Sequence, residues 1–161
     1  TWQDSQKLVS EYQSLLFLPS DLAIEDGGTR KNIGLDDLPT NFPIYDIGID
    51  TMMRLRPLLM EANCLLWNGP ASYFEKSEFA YGTVEIMNMF TEATGVTIVG
   101  GGHTSALFNQ RGKADQVSHN STGGGSVLTM LSGGIMPVFE SLEASDNKFR
   151  PLLRSLGISK E

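Results

Sequence analysis

The sequence predicts an α/β fold, a parallel sheet with helices on both of its faces. Three observations carry this. Short apolar runs at 64–67 and 96–99 lack polar–apolar alternation, as strands buried on both sides do. Stretches with helical periodicity separate them, in the order strand, helix, strand, helix. Glycine clusters stand where apolar runs give way to helical patterns, at 100–102 and 123–125.

Taken in order, residues 4–14 space Leu8, Val9 and Tyr12 helically and predict an amphipathic helix. Apolar runs at 15–18 and 22–24 flank Pro19 and fit a buried strand ending in a turn. Residues 26–43 contain Gly27, Gly28, Gly34, Pro39 and Pro43, which predict a long loop or hairpin. A weak strand follows at 44–47. A helix over 51–63 has Asp50 or Thr51 as its N-cap, and Pro57 kinks it or marks its true start. Residues 64–67 form a strand that opens into Asn68-Gly69-Pro70, with Cys64 as a small core residue. Residues 75–94 read as a helix with Val84, Met87 and Phe90 on one face and Gly95 as its C′ residue. The strand at 96–99 runs into Gly100-Gly101-Gly102, and a short helix over 104–111 stops at Gly112. Residues 117–120 lead into a second glycine triplet. A helix over 126–132 ends at Gly133-Gly134, and 136–161 is a mixed, mostly polar tail with Phe149, Leu152, Leu153 and Leu156.

Composition excludes several function classes. The 161 residues carry a net charge of −7, which repels a nucleic-acid backbone and leaves no basic patch for a membrane surface. No apolar run approaches the ~20 residues of a membrane helix. One cysteine excludes an intrachain disulfide framework and suits a reducing compartment. The chain starts at Thr1, and residues 1–20 lack the layout of a signal peptide. The expectation is a soluble processed product or segment of something longer, from the cytoplasm or an organelle interior such as a plastid stroma.

Ligands of open parallel sheets bind at the carboxyl ends of the strands. Three loops lie there, at 68–75, 100–104 and 121–126. Two of them carry glycine triplets that lead into a helix, where bare N–H groups can approach an anion. Tight turns for helix packing are the blander alternative, and spacing alone leaves both open. The P-loop pattern, GxGxxG and GxSxG are all absent. His103 and His119 lack metal-ligand spacing, Trp67 and Phe74 suit the core, and Asn120-Ser121-Thr122 matches a glycosylation sequon.

Three motifs in series narrow this reading: LLWNGPASYFE at 65–75, TIVGGGHTSAL at 97–107 and VSHNSTGGGSVL at 117–128. In order and spacing they resemble the nucleotide-binding half of phosphoglycerate kinase. FLPSDLAIE at 17–25 and YDIGIDT at 45–51 are similar to segments upstream of those motifs. The resemblance runs from about residue 5 to 142. It implies a domain over 1–142 with a tail over 143–161, and an incomplete, three-layer Rossmann-like sheet holding the family's later strands.

The family transfers a phosphoryl group between 1,3-bisphosphoglycerate and ADP, with Mg²⁺. Carried onto this chain, the resemblance implies that Asn68, Gly69 and Pro70 border the nucleotide and that Glu75 holds the ribose hydroxyls. Gly101 and Gly102 lie beside the transferring phosphate, with Thr104 at the adjacent helix start. Gly123, Gly124 and Gly125 offer N–H groups to the transition state, and such transfers depend on positioning and charge neutralisation.

The departures are specific. His103 replaces the family's Mg²⁺-binding Asp, so no protein metal site is expected. Tyr73 stands where a smaller Val lines the adenine pocket, and its ring is expected to fill it. Ser72 replaces a Gly, and Gly48-Ile49-Asp50-Thr51 lacks the Lys of the family's GPKT. The glycerate-binding domain and the early part of the nucleotide domain have no counterpart. The cut sheet then needs a cover: another protein chain, an omitted part of this one, or the helix at 4–14. The leading functional expectation is a degenerate family member acting as a structural or interaction subunit, inactive as an unaided enzyme. The alternatives are part of an active kinase using ADP or ATP with Mg²⁺, or a nucleotide-binding module without turnover.

Overall fold

The computed structural model describes residues 1–158, which divide into two units, 1–122 and from Gly123 onward. The first begins with α1 (Trp2–Tyr12), where the Thr1 side chain accepts from the Asp4 N–H and Asp4 reciprocates, a capping box. The expected helix is present, but none of its residues is buried. Residues 15–18 are not a strand. Leu15 and Leu18 stand exposed, because nothing in the unit packs on them, and β1 (Asp21–Asp26) begins only after Pro19.

β1 pairs antiparallel with β2 (Thr29–Gly34) on one side and β3 (Ile44–Ile47) on the other. The hairpin between β1 and β2 turns on Gly27 and Gly28, both at positive φ. That matches the type I′ turn that suits a two-residue connection. Pairing here is local and antiparallel, so this small sheet stands apart from the parallel one.

The parallel sheet has the order β4 (Cys64–Asn68), β5 (Val96–Gly100), β6 (His119–Ser121). Its connections are α3 (Tyr81–Glu92) and α4 (Gly102–Gln110), and α2 (Ile49–Glu61) leads into β4. Register decides what each face buries. Leu65 opposes Thr97 and Trp67 opposes Val99, and all four are buried. Trp67 packs its ring on Phe90 of α3 and Phe108 of α4. The opposite face carries Cys64, Leu66 and Val96, all exposed, with Val96 at 51%. Cys64 is therefore not the core residue expected of it, because it falls on the bare side of the pleat.

Helix bounds shift where caps come from elsewhere in the chain. α2 starts at Ile49 with Gly48 as N-cap, and Pro57 lies inside it. α3 starts at Tyr81 rather than 75, after a 3₁₀ turn at Ser77–Phe79. Gly95 is not a left-handed cap: a Cβ there would run into the backbone of Ala62 and Asn63, so close approach demands the glycine.

The second unit contains α5 (Gly124–Leu131), closed by Gly133 at φ +70, and α6 (Pro137–Ser155). The described part of the tail expected at 136–161 is thus mostly one helix, with apolar residues such as Phe139 and Leu142 exposed, and 159–161 lie outside the described residues. No helix among the described residues is long and apolar enough to cross a membrane.

Candidate functional site

The helices α2, α3 and α4 of the first unit begin in two ways. α2 and α3 are headed by carboxylates. Asp21 on β1 accepts from the N–H groups of Asp50 (3.1 Å) and Thr51 (2.7 Å) and from the Thr51 hydroxyl. Asp46 on β3 accepts from the Gly82 N–H (3.0 Å) and pairs with the Arg30 guanidinium. A negative group at a helix N-terminus meets the partial positive charge of its unpaired N–H groups. Gly48 and Gly82 allow the fit, since a Cβ on either would overlap the carboxylate. These two heads are filled by protein.

The head of α4 differs. Its N-cap is Gly101, at φ +99, and no side chain caps it. Gly69, at φ +95, opens the loop that leaves β4 beside it, and its N–H donates to the Thr104 hydroxyl across 3.1 Å. Thr104 is buried at 1% exposure. A Cβ on Gly101 would lie 3.3 Å from Asn68 Oδ1, whereas one on Gly102 would meet nothing within 4 Å. Asn68, Gly69, Gly101 and Thr104 are therefore brought together at the carboxyl ends of β4 and β5. The Thr104 hydroxyl is spent on tying the two loops.

Glu75 and His103 line one open crevice of about 430 Å³ with Phe74, Leu107 and Arg111. Pro70 lines another, of about 330 Å³, with Tyr45, Ser72 and Tyr73. Tyr73 is fixed as a wall of that crevice. Its ring lies 5.2 Å from Tyr45, and its N–H donates to the Tyr45 carbonyl at 2.7 Å. Lys76 reaches both oxygens of Glu25 at 2.9 Å and sits over the Tyr45 ring. The Glu25 carboxylate holds the Lys76 ammonium above its ordinary pKa.

Among the described residues no three His, Cys, Asp or Glu side chains converge on a metal position. His103 is exposed on α4 and offers imidazole nitrogen, whereas Mg²⁺ prefers hard oxygen. The residues present do not fit a protein-held Mg²⁺. The second triplet lies in the second unit. There Gly123 is the N-cap of α5 with no side-chain cap, Gly124 is buried, and a Cβ on Gly125 would meet open space. The Oδ1 of Asn120, in the sequon, is buried without a partner among the described residues, while the residue as a whole is half-buried.

A family model described as phosphoglycerate kinase matches residues 2–134. The chain belongs to the phosphoglycerate kinase family. It is 35% identical over 139 residues to the phosphoglycerate kinase of Methanothermus fervidus, covering 86% of this chain and 34% of that protein. To the Pyrococcus furiosus protein of the same name it is 37% identical over 156 residues, covering 92% and 37%. Among solved structures, the phosphoglycerate kinase of Pyrococcus horikoshii aligns with a TM-score of 0.83 at 33% identity, covering 91% of this chain and 37% of that one. The Coxiella burnetii enzyme aligns with a TM-score of 0.73 at 31% identity, covering 83% and 36%. The chain thus spans about a third of the length of the phosphoglycerate kinases it matches.

Sequence reasoning missed Asp21 and Asp46, which seal two helix heads, and Thr83, whose hydroxyl is buried under the loop after β4. The available signal was glycine at Gly48 and Gly82, each where a helix starts.

Proposed function

We propose that this chain is the nucleotide-binding part of a phosphoglycerate kinase and that it holds ADP or ATP at the carboxyl end of its parallel sheet. In this reading the glycine head of α4 takes the phosphates through backbone N–H groups, and Glu75 takes the ribose. Asn68 and Pro70 border the nucleotide. The observation that carries the reading is the side-chain-free head of α4, open at Gly102, whereas the heads of α2 and α3 in the same unit are filled by carboxylates. An acidic chain must bind an anion through such local donors, not through net charge. Open crevices at Glu75 and at Pro70 support it, since Tyr73 walls the second without filling it.

Phosphoryl transfer between 1,3-bisphosphoglycerate and ADP needs a glycerate site as well, which this reading assigns to protein outside the third of its relatives' length that the chain spans. Further protein would also cover Leu66 and Val96 on the bare face, since parallel sheets are stable when both faces are covered. A second reading, a degenerate family member serving as a structural or interaction subunit, is favoured by one observation: His103 where the family places its Mg²⁺-binding Asp.

Titration calorimetry with ADP tests the first reading. Saturable binding to the protein at its natural length is expected, and no heat at millimolar ADP overturns it. Transfer from ATP to 3-phosphoglycerate by the same preparation removes the degenerate reading.

A further inference from the structure

We infer that the hydrogen-bonded hydroxyls of Ser72 and Thr83 form a positioning device that fixes the loop between β4 and α3 for ligand binding. The inference rests on the nucleotide reading above and goes beyond it: Thr83 is buried and lines neither crevice, and Ser72 lines the Pro70 crevice but is given no role there by that reading.

The loop from Gly69 to Lys76 has no regular structure of its own, yet it carries Pro70 and Glu75. Both of its ends are tied: the Gly69 N–H to Thr104 Oγ1, and the Lys76 ammonium to Glu25. The middle is tied by Thr83. This residue lies in the first turn of α3 at 0% exposure. Its Oγ1 accepts from the Ala71 N–H at 3.2 Å and is hydrogen-bonded to Ser72 Oγ at 2.6 Å. The next amide, that of Tyr73, is held by Tyr45. Three successive residues of the loop are therefore fixed from two sides. α3 cannot shift to release them, because the adjacent Gly82 N–H is bonded to Asp46. A loop held in its binding conformation loses less entropy when the ligand arrives. Removing the Thr83 hydroxyl leaves the part-buried Ala71 amide without this partner, while removing Ser72's loosens one tie and leaves the others.

Two readouts test this at the protein's natural length: amide hydrogen exchange at Ala71 and Tyr73 without ligand, and ADP affinity by calorimetry. Thr83→Val should speed exchange at Ala71 and weaken ADP about tenfold. Thr83→Ser should restore both. Ser72→Gly, which does not touch the core, should weaken ADP about threefold. The double variant should be no weaker than Thr83→Val alone, since both changes break one device. Unchanged exchange in Thr83→Val and Ser72→Gly overturns the pinning itself. Altered exchange with unchanged affinity overturns the positioning role. A natural protein that binds no ADP overturns the nucleotide reading, and the role with it, while the exchange result still stands on its own.

Discussion

The heads of α2 and α3 and the head of α4 solve the same electrostatic problem in opposite ways. Each presents N–H groups that lack intrahelical acceptors. At α2 and α3 a glycine lets an Asp from the antiparallel sheet come in and accept them. At α4 a glycine opens the approach and no side chain arrives. The glycines at Gly48 and Gly82 make room for protein, and the one at Gly102 leaves room for something else. A glycine at a helix start is therefore informative only together with what lies in front of it.

Substituting the glycines separates the two kinds of head. Gly82→Ala drives a methyl into the buried Asp46 carboxylate and should destabilise the fold by about 3 kcal/mol, read from denaturant unfolding. Gly102→Ala places its methyl in open space at an ordinary φ and should change stability by less than about 0.5 kcal/mol. Its ADP affinity should nonetheless fall about tenfold, because the methyl occupies the approach to the N–H groups. A Gly102→Ala protein with full ADP affinity would place the ligand elsewhere, and the contrast between the heads would lose its functional half.

The contrast also explains what the sequence could and could not reveal. The parallel strands were legible because apolar residues occupy both faces, Leu65, Leu66 and Trp67 in β4 and Val96, Ile98 and Val99 in β5, even though Leu66 and Val96 lie on the bare one. The glycine bend at Gly101 was legible because it is local in the chain. The carboxylate caps were not. Asp21 and Thr51 lie 30 positions apart and Asp46 and Gly82 36 apart, so a reading that seeks caps among adjacent residues assigned α2 to Asp50 or Thr51. Leu15 to Leu18 misled in the opposite sense. The run is apolar enough for a strand, but Leu15, Leu16 and Leu18 stay exposed and Phe17 is part-covered by the Arg54 guanidinium. Cys64 and Val96 are likewise exposed, and α6, although amphipathic, did not read as one helix because Pro151 interrupts the spacing of Phe149, Leu152 and Leu153.

The smallest effect separates the two carboxylate heads from one another. Burial pushes Asp21 up, but the hydroxyl and N–H of Thr51, the Asp50 N–H and the Arg30 charge together hold it below its ordinary pKa. At Asp46 burial outweighs the Gly82 N–H and the Arg30 guanidinium and leaves its pKa raised. The linkage signs are therefore opposite. Asp21 contributes stability that is complete above the unfolded value of about 3.9 and lost as pH falls through its lower folded value. Asp46 costs stability as pH rises from about 3.9 through its higher folded value, so acidification relieves it. Thermal midpoints between about pH 6 and 3 should show Asp21→Asn flattening the acid limb and Asp46→Asn steepening it. Parallel shifts of the two profiles would mean that both heads are held by the same balance of burial and hydrogen bonding.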